Sequence, residues 1–102
     1  MNFVDHRLVE SHLMSYVEIM SEEQRDGIVR WAWTFSPTAV KEHEKAECEA
    51  SEWEFRFESH ESAARYALGW LRRNRPAWVR AAEKEALEGV YYRARQRKVS
   101  GP

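Results

Sequence analysis

Ile28-Val29-Arg30-Trp31-Ala32-Trp33-Thr34-Phe35 is the stretch that decides the fold class. Read with a period of two, Val29, Trp31, Trp33 and Phe35 line one side of a strand, and Arg30, Ala32 and Thr34 line the other. Read with the helical period, Ile28, Trp31, Ala32 and Phe35 share a face, so the pattern alone admits both readings. A second alternation favours the strand. In Glu52-Trp53-Glu54-Phe55-Arg56-Phe57-Glu58, the residues Trp53, Phe55 and Phe57 can pair with the first run and cover one core face. The fold class expected is α+β and helix-dominated, with a short two-stranded aromatic sheet packed on an N-terminal helix and two C-terminal helices. An all-α helical bundle is the alternative, because Ala and Glu are plentiful and β-branched residues sparse.

Upstream of that stretch, Val9, Leu13, Val17 and Met20 recur at helical spacing with Leu8 and Tyr16 beside them. This predicts a helix from Val4 to Arg25, closed by Asp26-Gly27 with Gly27 in the left-handed cap position. A competing reading starts a new helix at Ser21, whose hydroxyl caps the turn while Gln24 reaches back. Downstream, Ser36-Pro37 is a helix start, and Lys41 to Ala50 reads as a short solvated helix or a mobile connection.

Ser59 is placed to cap a helix from His60 to Asn74, with Glu61 in its first turn and Ala63, Ala67, Trp70 and Leu71 as its buried stripe. Arg72, Arg73 and Arg75 stand at its C-terminal end, where cations complement the unpaired carbonyls. Pro76 then opens a last helix, with Val79, Ala82, Ala86 and Val90 on one face and Trp78 and Leu87 flanking it. The organisation expected is a single globular domain over residues 1–95 and a basic, frayed tail over 96–102.

A chain of 102 residues has a lean core, and five Trp, four Tyr and four Phe must supply most of it. The formal net charge of −1 hides an asymmetry. Residues 1–61 carry 14 acids and 6 bases, net −8, whereas residues 62–102 carry 3 acids and 10 bases, net +7. Such a chain either neutralises itself internally or presents faces of opposite sign to partners. Cys48 is the only cysteine, which rules out an intramolecular disulfide and suits a reducing compartment. The N-terminus has no leader pattern, and no apolar run approaches the ~20 residues of a membrane span, so a cytoplasmic protein with no membrane partner is expected.

Catalytic and metal chemistry find little support in the sequence. Glu47 and Glu49 flank Cys48 and oppose formation of a reactive thiolate. His43-Glu44-Lys45-Ala46-Glu47 is half of a zinc-protease motif whose second histidine is missing. Two Glu-Ser-His triplets, at Glu10-Ser11-His12 and Glu58-Ser59-His60, do not make a catalytic triad by adjacency alone. The expectation is a protein that is not an enzyme and binds no cofactor or metal.

Two charged surfaces remain as candidate sites. Glu42, Glu44, Glu47, Glu49, Glu52, Glu54 and Glu58 could form an acidic face that imitates a phosphate array and occupies a basic channel on a partner. Arg72, Arg73, Arg75 and Arg80, interleaved with Trp70 and Trp78, could form a basic corner for phosphate contacts and base stacking. The function expected is a small inhibitor or regulator docking on nucleic-acid-handling machinery. Small phage-encoded inhibitors such as anti-CRISPR proteins share this size and type, although no motif carries that comparison. Direct nucleic-acid binding through the arginines, and a homodimeric structural module, are the two alternatives.

Overall fold

The N-terminal apolar recurrence folds as a helix only over its first half. In the computed structural model, which describes residues 6–49 and 53–99 and the last of these, 89–99, by their backbone path alone, α1 spans His6–Met14 and buries Val9 and Leu13 one turn apart. Ser15 ends it: its hydroxyl donates to His12 O at 2.6 Å, a local bond that competes with continuation of the helix. After the turn at Ser15 and Tyr16 the chain extends as β1, Val17–Glu23. The expected helix from Val4 to Arg25, and the alternative helix start at Ser21, are therefore corrected. Val17 and Met20, which fit the helical stripe, instead fall on opposite faces of a strand, and Val17 shares its face with Ile19, in the conformation that β-branched side chains favour.

The strand reading of the deciding stretch holds, since β2 spans Val29–Phe35. Its partner differs from the one expected. β2 pairs antiparallel with β1, in register from Val17 opposite Phe35 to Glu23 opposite Val29. The Trp53–Phe57 run meets β2 at one point only, an antiparallel bridge between Phe57 and Trp31, while Trp53 and Phe55 stack on each other with ring centroids 6.1 Å apart. Arg25-Asp26-Gly27 forms the hairpin loop. Gly27, expected to cap a helix, supplies the positive φ of 81° that this turn requires, and Asp26 Oδ1 accepts the Ile28 N–H at 3.0 Å.

Local chemistry fixes the remaining elements. Ser36 caps α2, Pro37–Glu42, by accepting the Ala39 N–H, and its own hydroxyl donates to Ser15 O at 2.6 Å, tying the helix start to the end of α1. A single 3-10 turn, Lys45–Cys48, follows. Ser59 accepts the Ser62 N–H at 3.0 Å and caps α3, His60–Asn74, which buries Ala63, Ala67 and Leu71 as the sequence spacing predicts. α4 spans Pro76–Val99. Its inward positions are Trp78, Ala82 and Ala86, so Trp78 occupies the buried face and Val79 is half-buried beside it. Val90 has no described side chain.

The molecule is thus a small α+β domain in which helices pack around one two-stranded antiparallel sheet. α3 lies across the odd-numbered face of the hairpin, with ring contacts from Trp31 to His60 and from Trp33 and Phe35 to Trp70. α1 packs mainly against α4. One core joins Val9, Leu13, Tyr16, Phe35, Leu71 and Trp78 with small residues at the helix crossings. Those alanines let the helices approach closely while the rings fill the volume. The long axis is 63 Å against 29 and 24 Å across. No helix among the described residues is long and apolar enough to cross a membrane.

Candidate functional site

The structure separates the four arginines of the basic corner into two kinds. Arg75 sits in the break between α3 and α4, where its guanidinium lies 5.1 Å from the Trp70 ring and 5.9 Å from the Trp78 ring. Its Nη1 and Nη2 donate to Asn74 O at 2.8 Å and Glu47 O at 3.0 Å. Arg75 therefore fastens the acidic segment to the helix junction. Arg72 donates to Glu10 Oε1 at 3.2 Å and bridges α3 to α1. Arg73, folded back over Gly69, and Arg80 are exposed and have no ion pair among the described residues. Two of the four predicted phosphate contacts are thus engaged inside the fold.

The glutamates expected to form an acidic face are less engaged, taken one by one. Glu44, Glu49 and Glu58 are exposed, with no ion pair among the described residues. Glu47 contributes its backbone carbonyl to Arg75 and leaves its carboxylate exposed. Glu54 lies 3.6 Å from Arg56 Nε in a solvent-exposed pair, which contributes little to stability. Glu42 accepts from a buried tyrosine, and Glu52 lies outside the described residues. β1 adds Glu18, Glu22 and Glu23, all exposed, which the helix reading of this segment did not group with the others. The two predicted surfaces meet at Glu47 and Arg75, beside an open cavity of about 440 Å³ lined also by Asn74, Pro76 and Trp78.

A polar network inside the fold was not anticipated. The Tyr16 hydroxyl donates to Glu42 Oε2 at 2.8 Å. With its one proton committed, the hydroxyl oxygen accepts from His12 Nε2 at 2.9 Å, and the same imidazole nitrogen lies 3.0 Å from Glu85 Oε2. Burial, then the hydrogen bond and charge of Glu42, then the charge of Glu85 hold the Tyr16 phenol well above its ordinary pKa. The helical spacing of His12 and Tyr16 was visible in the sequence, but their partners Glu42 and Glu85 come from distant elements. His43, the residue of the half zinc motif, turns inward and stacks on Trp78 with ring centroids 3.8 Å apart. Among the described residues, no group of three or more His, Cys, Asp or Glu is arranged to hold a metal ion.

Burial lowers the His43 pKa, against the opposing pull of Glu42 and Glu47, and its Nε2 has no hydrogen-bond partner among the described residues. The folded state therefore resists protonation of this ring. Its contribution to stability is complete above the free-imidazole pKa of about 6.5 and falls as the pH drops through and below that value. His43→Phe, which keeps the stack, should flatten the decline of melting temperature between pH 7.5 and 5.5. Equal slopes in the two proteins would refute the assignment.

Cys48 is buried, and its thiol donates to Ala39 O at 3.4 Å. Burial first and Glu47 second raise its pKa, with Arg75 opposing them, which disfavours the thiolate. Comparison with known proteins found no matching family model, no matching curated protein and no matching solved structure.

Proposed function

We propose that this chain is a non-enzymatic binding module that docks through its acidic face on the basic surface of a nucleic-acid-handling complex. It acts there as an inhibitor or regulator of the phage-encoded type that includes anti-CRISPR proteins. The observation supporting this reading is the contrast between the two surfaces. The carboxylates of Glu44, Glu47, Glu49 and Glu58 remain exposed without ion pairs among the described residues, whereas Arg72 and Arg75 are engaged within the fold. Exposed carboxylates of one sign steer a protein towards a basic channel and compete there with phosphates.

The test is capture of a stoichiometric partner from the native host, followed by competition with nucleic acid. The expected outcome is a complex that weakens with salt, is displaced by DNA or RNA, and is lost in the Glu44→Lys, Glu49→Lys, Glu58→Lys triple variant. A complex that the triple variant retains would refute the acidic-face reading. Salt-sensitive binding of the free protein to DNA or RNA, abolished by Arg73→Glu with Arg80→Glu, would instead establish direct nucleic-acid binding.

A further inference from the structure

The hydrogen-bond parity of the hairpin shows which of its backbone groups are already paired. Ser36 N donates to Tyr16 O at 2.8 Å at one end of the β1-β2 ladder, and Gln24 N donates to Ile28 O at 2.9 Å at the other. The register between these ends is unbroken. In an antiparallel pair the hydrogen-bonded positions alternate, so Glu18, Met20 and Glu22 direct their N–H and C=O groups at β2, while Ile19, Ser21 and Glu23 direct theirs outward. The same parity sends the backbone of Trp31 outward from β2. There Phe57 meets it, with bonds of 2.8 Å and 3.0 Å in the two directions. One edge of the hairpin is therefore closed at its middle, and the β1 edge has no strand against it among the described residues.

An open edge is a hazard that proteins blunt with charged side chains, Lys above all, and with Pro, bulges or extreme shortness. β1 has seven residues, no Pro, no Lys and no bulge. What it carries is Glu18, Met20 and Glu22 along one face, with Met20 47% exposed. These side chains discriminate between occupants. A second copy of β1 paired antiparallel over its full length would set Glu18 of each copy against Glu22 of the other, which destabilises that register. An extended segment with a base opposite each glutamate and an apolar residue opposite Met20 would satisfy all three positions.

We propose that the outer edge of β1 is a strand-addition site for an extended basic segment of a partner protein, of the pattern base-x-apolar-x-base. The pattern is palindromic, so it fits in either strand direction. Backbone bonds to Ile19, Ser21 and Glu23 supply affinity, and Glu18, Met20 and Glu22 supply selectivity. The inference shares with the acidic-face reading only the sign of the partner's charge. It concerns carboxylates distinct from Glu44, Glu49 and Glu58.

The experiment is amide exchange by NMR with the capped peptide Thr-Lys-Thr-Val-Thr-Lys-Thr as probe. The expected result is at least about tenfold slower exchange at Ile19, Ser21 and Glu23 when the peptide is added, with Glu18, Met20 and Glu22 unchanged because β2 already protects them. The analogue with Glu in place of Lys should give no protection. Ser21→Pro removes an outward N–H without removing a ladder bond and should abolish the effect; Glu18→Lys with Glu22→Lys, which leaves the backbone intact, should abolish it too. No protection in the wild-type protein, or protection that persists in the double lysine variant, would overturn the proposal. Protection of the same amides that grows with protein concentration and needs no peptide would assign the edge to a second copy and overturn it as well. Survival of the host complex in Ser21→Pro but not in the Glu44, Glu49, Glu58 variant would remove strand addition and leave the acidic-face reading standing.

Discussion

Trp78→Ala is expected to cost about 3–5 kcal/mol of folding stability, a large part of the ~5–15 kcal/mol available to a chain of this length. Trp78 is 3% exposed and touches four groups from four parts of the chain. Its ring centroid lies 5.6 Å from those of Tyr16 and Phe35 and 3.8 Å from that of His43, and the Arg75 guanidinium stands 5.9 Å away. The neighbours of a buried indole relax only in part into the space it leaves, so a cavity penalty adds to the lost transfer energy. Urea denaturation followed by circular dichroism measures the effect. A loss below about 1.5 kcal/mol would mean that Trp78 does not hold the core together as described.

Arg75→Ala is expected to be the most damaging of the arginine substitutions, at about 2 kcal/mol, because charged hydrogen bonds to backbone carbonyls and contacts with two indoles disappear together. For a domain of this size, that corresponds to a fall in melting temperature of roughly 8–16 °C. Arg73→Ala and Arg80→Ala should stay within about 0.5 kcal/mol of the wild type, as surface substitutions do. Arg72→Ala should lose no more than about 1 kcal/mol, the usual limit for an exposed pair such as that with Glu10. Thermal unfolding of the four variants side by side checks the ordering. If all four behaved alike, the division of the basic corner into structural and free arginines would fail.

Sequence reading succeeded where local chemistry decides the outcome. Ser36, Ser59, Pro37 and Pro76 mark helix starts because a hydroxyl cap or a fixed φ acts within one turn. The stripe of Ala63, Ala67 and Leu71 needed only its spacing. Reading failed where a distant partner decides. Val17 and Met20 fit a helical recurrence that includes Val9 and Leu13, and only the presence of β2 across the Arg25-Asp26-Gly27 loop draws them into a strand. The alternation of Trp53, Phe55 and Phe57 is genuine, yet only Phe57 reaches an unpaired backbone position. The same holds for the candidate surfaces. Arg73 and Arg75 are indistinguishable as members of a basic cluster, but the fold engages Arg75 and leaves Arg73 in solvent.

The packing of α1 against α4 also constrains how the molecule assembles. The first helix finds its main neighbour in the last, and the Arg72–Glu10 bridge spans 62 positions of sequence. A chain built this way cannot complete its core from local contacts, so its folding rate should lie below that of a helical protein of similar size. On the ribosome, α1 emerges on the order of several seconds before α4 at ordinary rates of elongation. Throughout that interval Val9 and Leu13 lack their final neighbours, which makes the nascent α1 segment, rather than the finished fold, the form most in need of a chaperone.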